Sequence, residues 1–182
     1  YAADHGCDVI SCSWGGAASS GAYGQDIINY AVYNHDAVVV AACGNDNNEL
    51  PFYPASLNNV ISVAATDQYD LKNSTSNYGI YVDLCAPGKN IFSTWTNGSY
   101  TNYSGTSMSA PIVSGCAAIV KSVFPNYNAI QIGEKLRATA DVIDTIGTNT
   151  IFTDKLGSGR VNLFKSLTES TPSVRIVELR TE

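Results

Sequence analysis

The octapeptide from Ser104 to Pro111 reads Ser-Gly-Thr-Ser-Met-Ser-Ala-Pro and sets Ser107 where an apolar, helix-periodic run begins. Met108, Ile112, Gly115, Cys116, Ile119, Val120 and Val123 recur at three- and four-residue spacing, which makes one helix face. Thr106 and Ser107 are both residue types that cap a helix start. A serine there has unpaired backbone N–H groups beside its hydroxyl and the positive end of the helix dipole behind it. That setting suits a nucleophile whose attack creates an oxyanion. An ordinary Ser/Thr cap has the same local appearance, so the rest of the chain must decide. A second segment, Ala37 to Asp46, is a continuous apolar run ending in Gly44-Asn45. It reads as a strand buried on both faces, the kind found in parallel sheets. Gly-Asn after a strand is by itself a turn signal.

Taken together, these segments resemble the subtilisin-like serine proteases. The family pattern Gly-Thr-Ser-Met-Ala-x-Pro is matched by Gly105-Thr106-Ser107-Met108-Ser109-Ala110-Pro111, with serine at 109 in place of alanine. The resemblance implies that Ser107 is the nucleophile and that Asn45, ending an Ala-Gly-Asn-like segment, donates its amide to the oxyanion. Gly6 to Gly16 resembles the family strand whose end pairs with substrate backbone, here Ser13-Trp14-Gly15. Such pairing is strand addition, with main-chain bonds for affinity and side-chain pockets for specificity. Trp14 stands where leucine is usual and either walls a substrate pocket or packs inward. Ala42, Cys43 and Gly44 correspond to the opposite wall of the first pocket. Phe52, before Tyr53-Pro54-Ala55, corresponds to its floor, and its bulk implies a shallow pocket for small side chains. Asp46 is the residue that would instead favour basic ones. The Tyr53–Pro54 bond is commonly cis in the family. Asp83-Leu84-Cys85-Ala86-Pro87-Gly88 and Gly157-Ser158-Gly159-Arg160-Val161-Asn162 extend the match, which covers roughly residues 1 to 168.

Two family motifs are not found. The triad in this family runs Asp, His, Ser along the chain. No Asp-Thr/Ser-Gly and no His-Gly-Thr-His occurs, and the two histidines, His5 and His35, fall outside the matching positions. Both read as solvated or structural. The catalytic aspartate and histidine are therefore expected upstream of Tyr1, and the chain is expected to be the C-terminal half of a peptidase domain. The function implied is a serine endopeptidase acting through an acyl-enzyme on Ser107. An inert half-domain that binds extended peptides is the alternative. A Gly-x-Ser-x-Gly hydrolase elbow fits less well, because Met108-Ser109 follow Ser107.

Composition bounds these readings. The net charge of −6, with ten scattered Lys and Arg, argues against a nucleic-acid partner. No uninterrupted apolar run approaches the roughly 20 residues of a membrane span. The expected partners are a peptide or protein substrate and the missing N-terminal half, with homo-oligomerisation if the chain is expressed alone. Only 14% of residues are charged while Asn, Ser, Thr and Tyr are plentiful, which points weakly to an extracellular or cell-envelope location. No cofactor is identifiable. Calcium is open by family analogy alone, since no acidic cluster resembles a complete loop. The five cysteines, Cys7, Cys12, Cys43, Cys85 and Cys116, show no CxxC spacing and indicate no zinc site. They read as buried free thiols, with one Cys12–Cys43 disulfide left open.

The elements that must carry these residues alternate. Strands are expected at 8–13, 37–43, 60–65 and 80–85, and helices at 24–34, 107–123 and 128–139, with Asn128 capping the last. Asn97-Gly98 between two aromatic-rich runs, 91–95 and 99–103, signals a hairpin. Alternating β and α implies an α/β fold, a parallel sheet with helices on both faces, subtilisin-like by resemblance and incomplete without its N-terminal half. Residues 1–168 form the peptidase part. Residues 169–182 read as a linker followed by the start of a further element, with strand-like alternation over 173–180.

Overall fold

The computed structural model describes residues 1–19 and 21–170. The alternation over 173–180 lies outside the described residues. Four strands, β1 (Val9–Cys12), β2 (Val38–Ala42), β3 (Val60–Thr66) and β4 (Leu84–Pro87), form a parallel sheet in sequence order. Every residue of β2 and β3 is buried. That explains their unbroken apolar and small-residue sequence, since a parallel strand is covered on both faces. Between β1 and β2 the chain crosses over through α1 (Gly21–Asn29), which widens into a π-helical turn at Tyr30–Asn34 and buries Ile28, Ala31 and Val32.

After β4 an antiparallel hairpin, β5 (Ile91–Thr94) and β6 (Tyr100–Tyr103), turns through Asn97 and Gly98, both with positive φ. It leads directly into α2 (Thr106–Val123), an 18-residue helix that packs across all four strands and buries Ala110, Val113, Ala117 and Val120. A bilayer-spanning helix has similar length and apolarity, but here the neighbour is the sheet. Helix α3 (Ala129–Ala138) starts with a capping box, in which Asn128 accepts from the Gln131 N–H and Gln131 accepts from the Asn128 N–H. Helix α4 (Leu163–Thr168) closes the described chain.

The strand expected at 80–85 is displaced to Leu84–Pro87. Residues before it turn instead, with the Val82 N–H bonded to the Gly79 carbonyl. Asp83 marks the entry, accepting from the Ser62 N–H and from Arg137. Apolar alternation ran through the turn and hid the boundary. Side chains of Ala64 and Ala65 point to opposite faces of β3. Ala65 meets the start of α2 across Gly88, while Ala64 joins Cys43, Cys85, Val82, Ile143 and Leu156 in a second small core.

The two sheet edges differ. On the β4 side, Gly159 to Val161 pairs with Cys85 through two backbone hydrogen bonds. On the β1 side no further strand pairs among the described residues, and Ser11 is exposed.

The covered edge is held by charge. Asp141 exchanges backbone hydrogen bonds with Arg160, and its carboxylate accepts from Asn162 and pairs with Lys165 and Arg160. The hydrogen bond from Lys165, helped by those from Asn162 and Arg160, holds the carboxyl down at about 2 against the opposing effect of burial. A value depressed below the unfolded ~3.9 contributes stability that is full above about pH 4 and is lost as pH falls through about 2. Discounted for partial exposure, that contribution is about 1 kcal/mol. Asp141→Asn is expected to lower urea-unfolding stability by this amount at pH 7, with the gap to wild type closing between pH 4 and pH 2.

Candidate active site

Parallel sheets place their functional loops beyond the carboxyl ends of the strands. Ser13 follows β1, Asn45 follows β2, and the N-terminus of α2 lies over both. Ser107 is the second residue of that helix and is half-buried. The helix start is set by close backbone packing. Gly105 (φ 146°) donates its N–H to the Gly88 carbonyl at 2.7 Å. A Cβ on Gly88 would lie 2.3 Å from the Ser109 hydroxyl and 2.6 Å from Ala65 Cβ, so only glycine permits the approach. Ser109, the departure from the family pattern, is fully buried and its hydroxyl donates to the Ala86 carbonyl at 3.0 Å.

Neither Thr106 nor Ser107 caps the helix. Gly105 occupies the cap position and no side chain of the local segment bonds the first turn. The cap comes from another strand. Asn45 Oδ1 accepts the Thr106 N–H at 2.9 Å and the Thr106 hydroxyl at 3.2 Å. An amide whose oxygen is held in this way has its Nδ2 donors turned to the other side, and Nδ2 bonds no protein group among the described residues. Asn45 is exposed, so those donors are open to solvent.

Ser107 and Ser13 bond reciprocally. The Ser107 hydroxyl donates to the Ser13 carbonyl at 3.1 Å, and the Ser13 hydroxyl donates to the Ser107 carbonyl at 2.9 Å. The second bond exists because of Pro111. Proline has no N–H, so the carbonyl four residues earlier, that of Ser107, loses its helical partner and is open to a donor from outside. Ser13 supplies it.

Residues read as substrate-binding fall around this point. Ser13, Trp14 and Gly15 are exposed, and Trp14 at 66% exposure does not pack inward. Ala42, Cys43 and Gly44 are buried. The Cys43 thiol enters the second core and donates to the Asn77 carbonyl at 3.3 Å, so this residue offers the site no side chain. The Phe52 ring lies between the two walls. A Cβ on Gly15 would be 2.4 Å from it, and one on Gly44 would be 3.0 Å from it. Gly16 and Tyr53 exchange backbone hydrogen bonds beside a cis Tyr53–Pro54 bond.

All five cysteines are free. Cys12, Cys43, Cys85 and Cys116 are buried as expected, but Cys7 is exposed. Cys12 is in register with Ala41, and no Cys12–Cys43 disulfide forms. Burial pushes the Cys43 thiol up to about 12. Among the described residues no three His, Cys, Asp or Glu side chains gather to hold a metal ion.

Both histidines sit at the wrong end of the sheet to serve Ser107. His5 precedes β1, stacks on Tyr1 and bonds the Tyr1 carbonyl. His35 precedes β2 and lies 3.5 Å from Asp4. Four- and five-residue strands, about 13–17 Å at the usual rise, separate that end from Ser13 and Asn45.

The fold and the helix-borne serine place the chain in a class of parallel α/β domains that present a hydroxyl at the N-terminus of a core helix. Within that class, the chain belongs to the Subtilase family, whose model matches residues 1–164. Thermitase from Thermoactinomyces vulgaris is 44% identical over 92% of this chain and 56% of its own length. Subtilisin BL from Lederbergia lenta is 36% identical over 89% of this chain and 57% of its own. Among solved structures, one of proteases from Pseudoalteromonas arctica superposes with a TM-score of 0.79 at 32% identity, covering 88% of this chain and 50% of that one. The chain spans about half the length of the curated relatives it matches.

Two contributors were invisible in the sequence. Asn77 and Lys72 support the Asn45 loop from beneath, and nothing in their local sequence marks them. The glycine walls yield a direct test. Gly15→Ala drives a methyl into the Phe52 ring and the Tyr53 carbonyl, both 2.4 Å away, whereas Gly16→Ala meets nothing within 4 Å. The first is expected to cost about 1–3 kcal/mol in denaturant unfolding, as overpacking does, and the second to be near neutral.

Proposed function

We propose that this chain supplies the nucleophile, the oxyanion donors and one substrate-binding strand of a serine endopeptidase. The observation that carries this reading is the orientation of Asn45. Its oxygen is spent on capping the Ser107 helix, so its N–H donors face the space where a carbonyl attacked by Ser107 must place its charge. A substrate strand adds alongside Ser13-Trp14-Gly15. The Ser107 hydroxyl exchanges its bond to the Ser13 carbonyl for one to a histidine base, which takes its proton as Oγ attacks the peptide carbonyl. The oxyanion then receives hydrogen bonds from Asn45 Nδ2 and the Ser107 backbone N–H. Collapse of the tetrahedral adduct breaks the C–N bond, and the leaving amine takes the proton from the histidine. Water hydrolyses the acyl-enzyme by the reverse roles. The histidine and its orienting aspartate belong to the upstream part of the domain, which docks along the β1 edge, where no further strand pairs among the described residues. An extracellular setting suits the polar, sparsely charged composition.

A fluorophosphonate tests this reading. It is expected to label Ser107 when the chain is assembled with its upstream half, and Ser107→Ala is expected to abolish labelling. Asn45→Ala is expected to slow peptide hydrolysis roughly 100- to 1,000-fold, the loss known for such a donor in a subtilisin. An assembled domain that never labels refutes the proposal. Because the Phe52 ring fills the space between Gly15 and Gly44, we further propose that the first pocket takes small side chains. Cleavage-site mapping on a peptide library reads this directly, and a preference for large aromatic residues before the cut overturns it.

A further inference from the structure

The segment from Asn45 to Asn47 is exposed and follows the end of β2, and Gly44 (φ 103°) and Asn47 (φ 49°) both take left-handed backbone. Beyond the contact of Asn45 with Thr106, the loop is tethered by the segment from Lys72 to Tyr78. Backbone bonds run from the Asn47 N–H to the Thr75 carbonyl, from the Asn77 N–H to the Gly44 carbonyl, and from the Tyr78 N–H to the Asn48 carbonyl. The Asn77 side chain, 1% exposed, reaches both flanks of Asn45. Its Nδ2 donates to the Cys43 carbonyl at 3.0 Å, and its Oδ1 accepts the Asp46 N–H at 2.8 Å and the Asn48 N–H at 3.4 Å. A Cβ on Gly44 would lie 2.4 Å from that Nδ2, so glycine at 44 and asparagine at 77 form one fit.

Lys72 completes the tether. Its three ammonium hydrogens go to Asn47 Oδ1 at 2.8 Å, the Ser76 carbonyl at 2.8 Å and the Asn73 carbonyl at 3.0 Å. The rings of Tyr78 and Phe152 lie about it, 5.1 and 4.8 Å from the nitrogen. One cation therefore ties the far side of the loop to the segment that carries Asn77.

We infer that Lys72 and Asn77 are positioning residues for the oxyanion donor, fixing the Gly44–Asn48 loop so that the Asn45 amide is aimed at Ser107. The inference rests on the proteolytic reading above for its catalytic consequence, but not for its geometry. The Thr106 N–H, bonded to Asn45 Oδ1, reports on the side chain of Asn45 from 61 residues away.

The test is amide hydrogen exchange on the full chain carrying Lys72→Met or Asn77→Ala. Exchange at Asp46 and Thr106 is expected to quicken roughly tenfold while Val39 to Ala41 in β2 keep their protection. In the domain assembled with its upstream half, Lys72→Met is expected to lower kcat about tenfold with KM held within about twofold. An unchanged Thr106 overturns the inference. So does a matching rise in exchange throughout β2, which marks a general stabilising role, or a raised KM with kcat intact. Should Asn77→Ala fail to fold, Lys72→Met decides alone. If the wild-type assembly hydrolyses nothing, the proteolytic reading falls and the exchange data still judge the clamp.

Discussion

One hydrogen bond organises this site: the Thr106 N–H to Asn45 Oδ1. A core helix needs partners for its first N–H groups, and here no local side chain supplies one. The partner instead comes from the loop after β2. A side-chain cap of this kind is worth about 1 kcal/mol, but its larger effect is directional. An asparagine amide has an accepting end and a donating end. Committing the first to the helix determines where the second points. The start of α2 and the orientation of the Asn45 amide thus rest on the same contact.

That contact demands close tolerances around it. The helix start must approach the sheet closely enough for Asn45 to reach Thr106, and glycine at 88 and 105 allows this. Ser109 then bonds the β4 carbonyls beneath, so the first turn is held on one side by β2 and on the other by β4. Below the Asn45 loop, Asn77 and Lys72 satisfy backbone groups that would otherwise face the protein interior unpaired. Buried networks of this sort stabilise only when complete. The surroundings of Ser107 and Asn45 are therefore built within this chain's own core.

Much of this was legible in the sequence where one residue type has one physical reason to be present. The apolar run of β2 and the largely apolar β3 read as doubly buried strands, and Asn128 with Gln131 reads as a helix start. Asn97-Gly98 marked its turn because left-handed backbone favours those residues. The start of β4 is not legible because alternation continues through the turn at Gly79–Val82, where tertiary pairing with Gly159 and Ser62 decides the boundary. The cap is not legible because its donor and acceptor are 61 residues apart. Asn77 and Lys72 were unreadable for the same reason. The family resemblance singles out Asn45 and Ser107, but it does not show that Asn45 bonds Thr106, the residue before Ser107, or that the Cys43 thiol turns into the second core.

Pro111 has a mechanical meaning beyond its place in the motif. An α-helix normally spends each carbonyl on its own next turn and is deaf to what touches its side. By withholding one N–H, Pro111 leaves a single carbonyl free, and that carbonyl is bonded to the strand end at Ser13. The first turn of α2 and the end of β1 are thereby geared together. The seat of the Ser107 hydroxyl is thus set by backbone from two elements at once, the end of a strand and the first turn of a helix latched face to face.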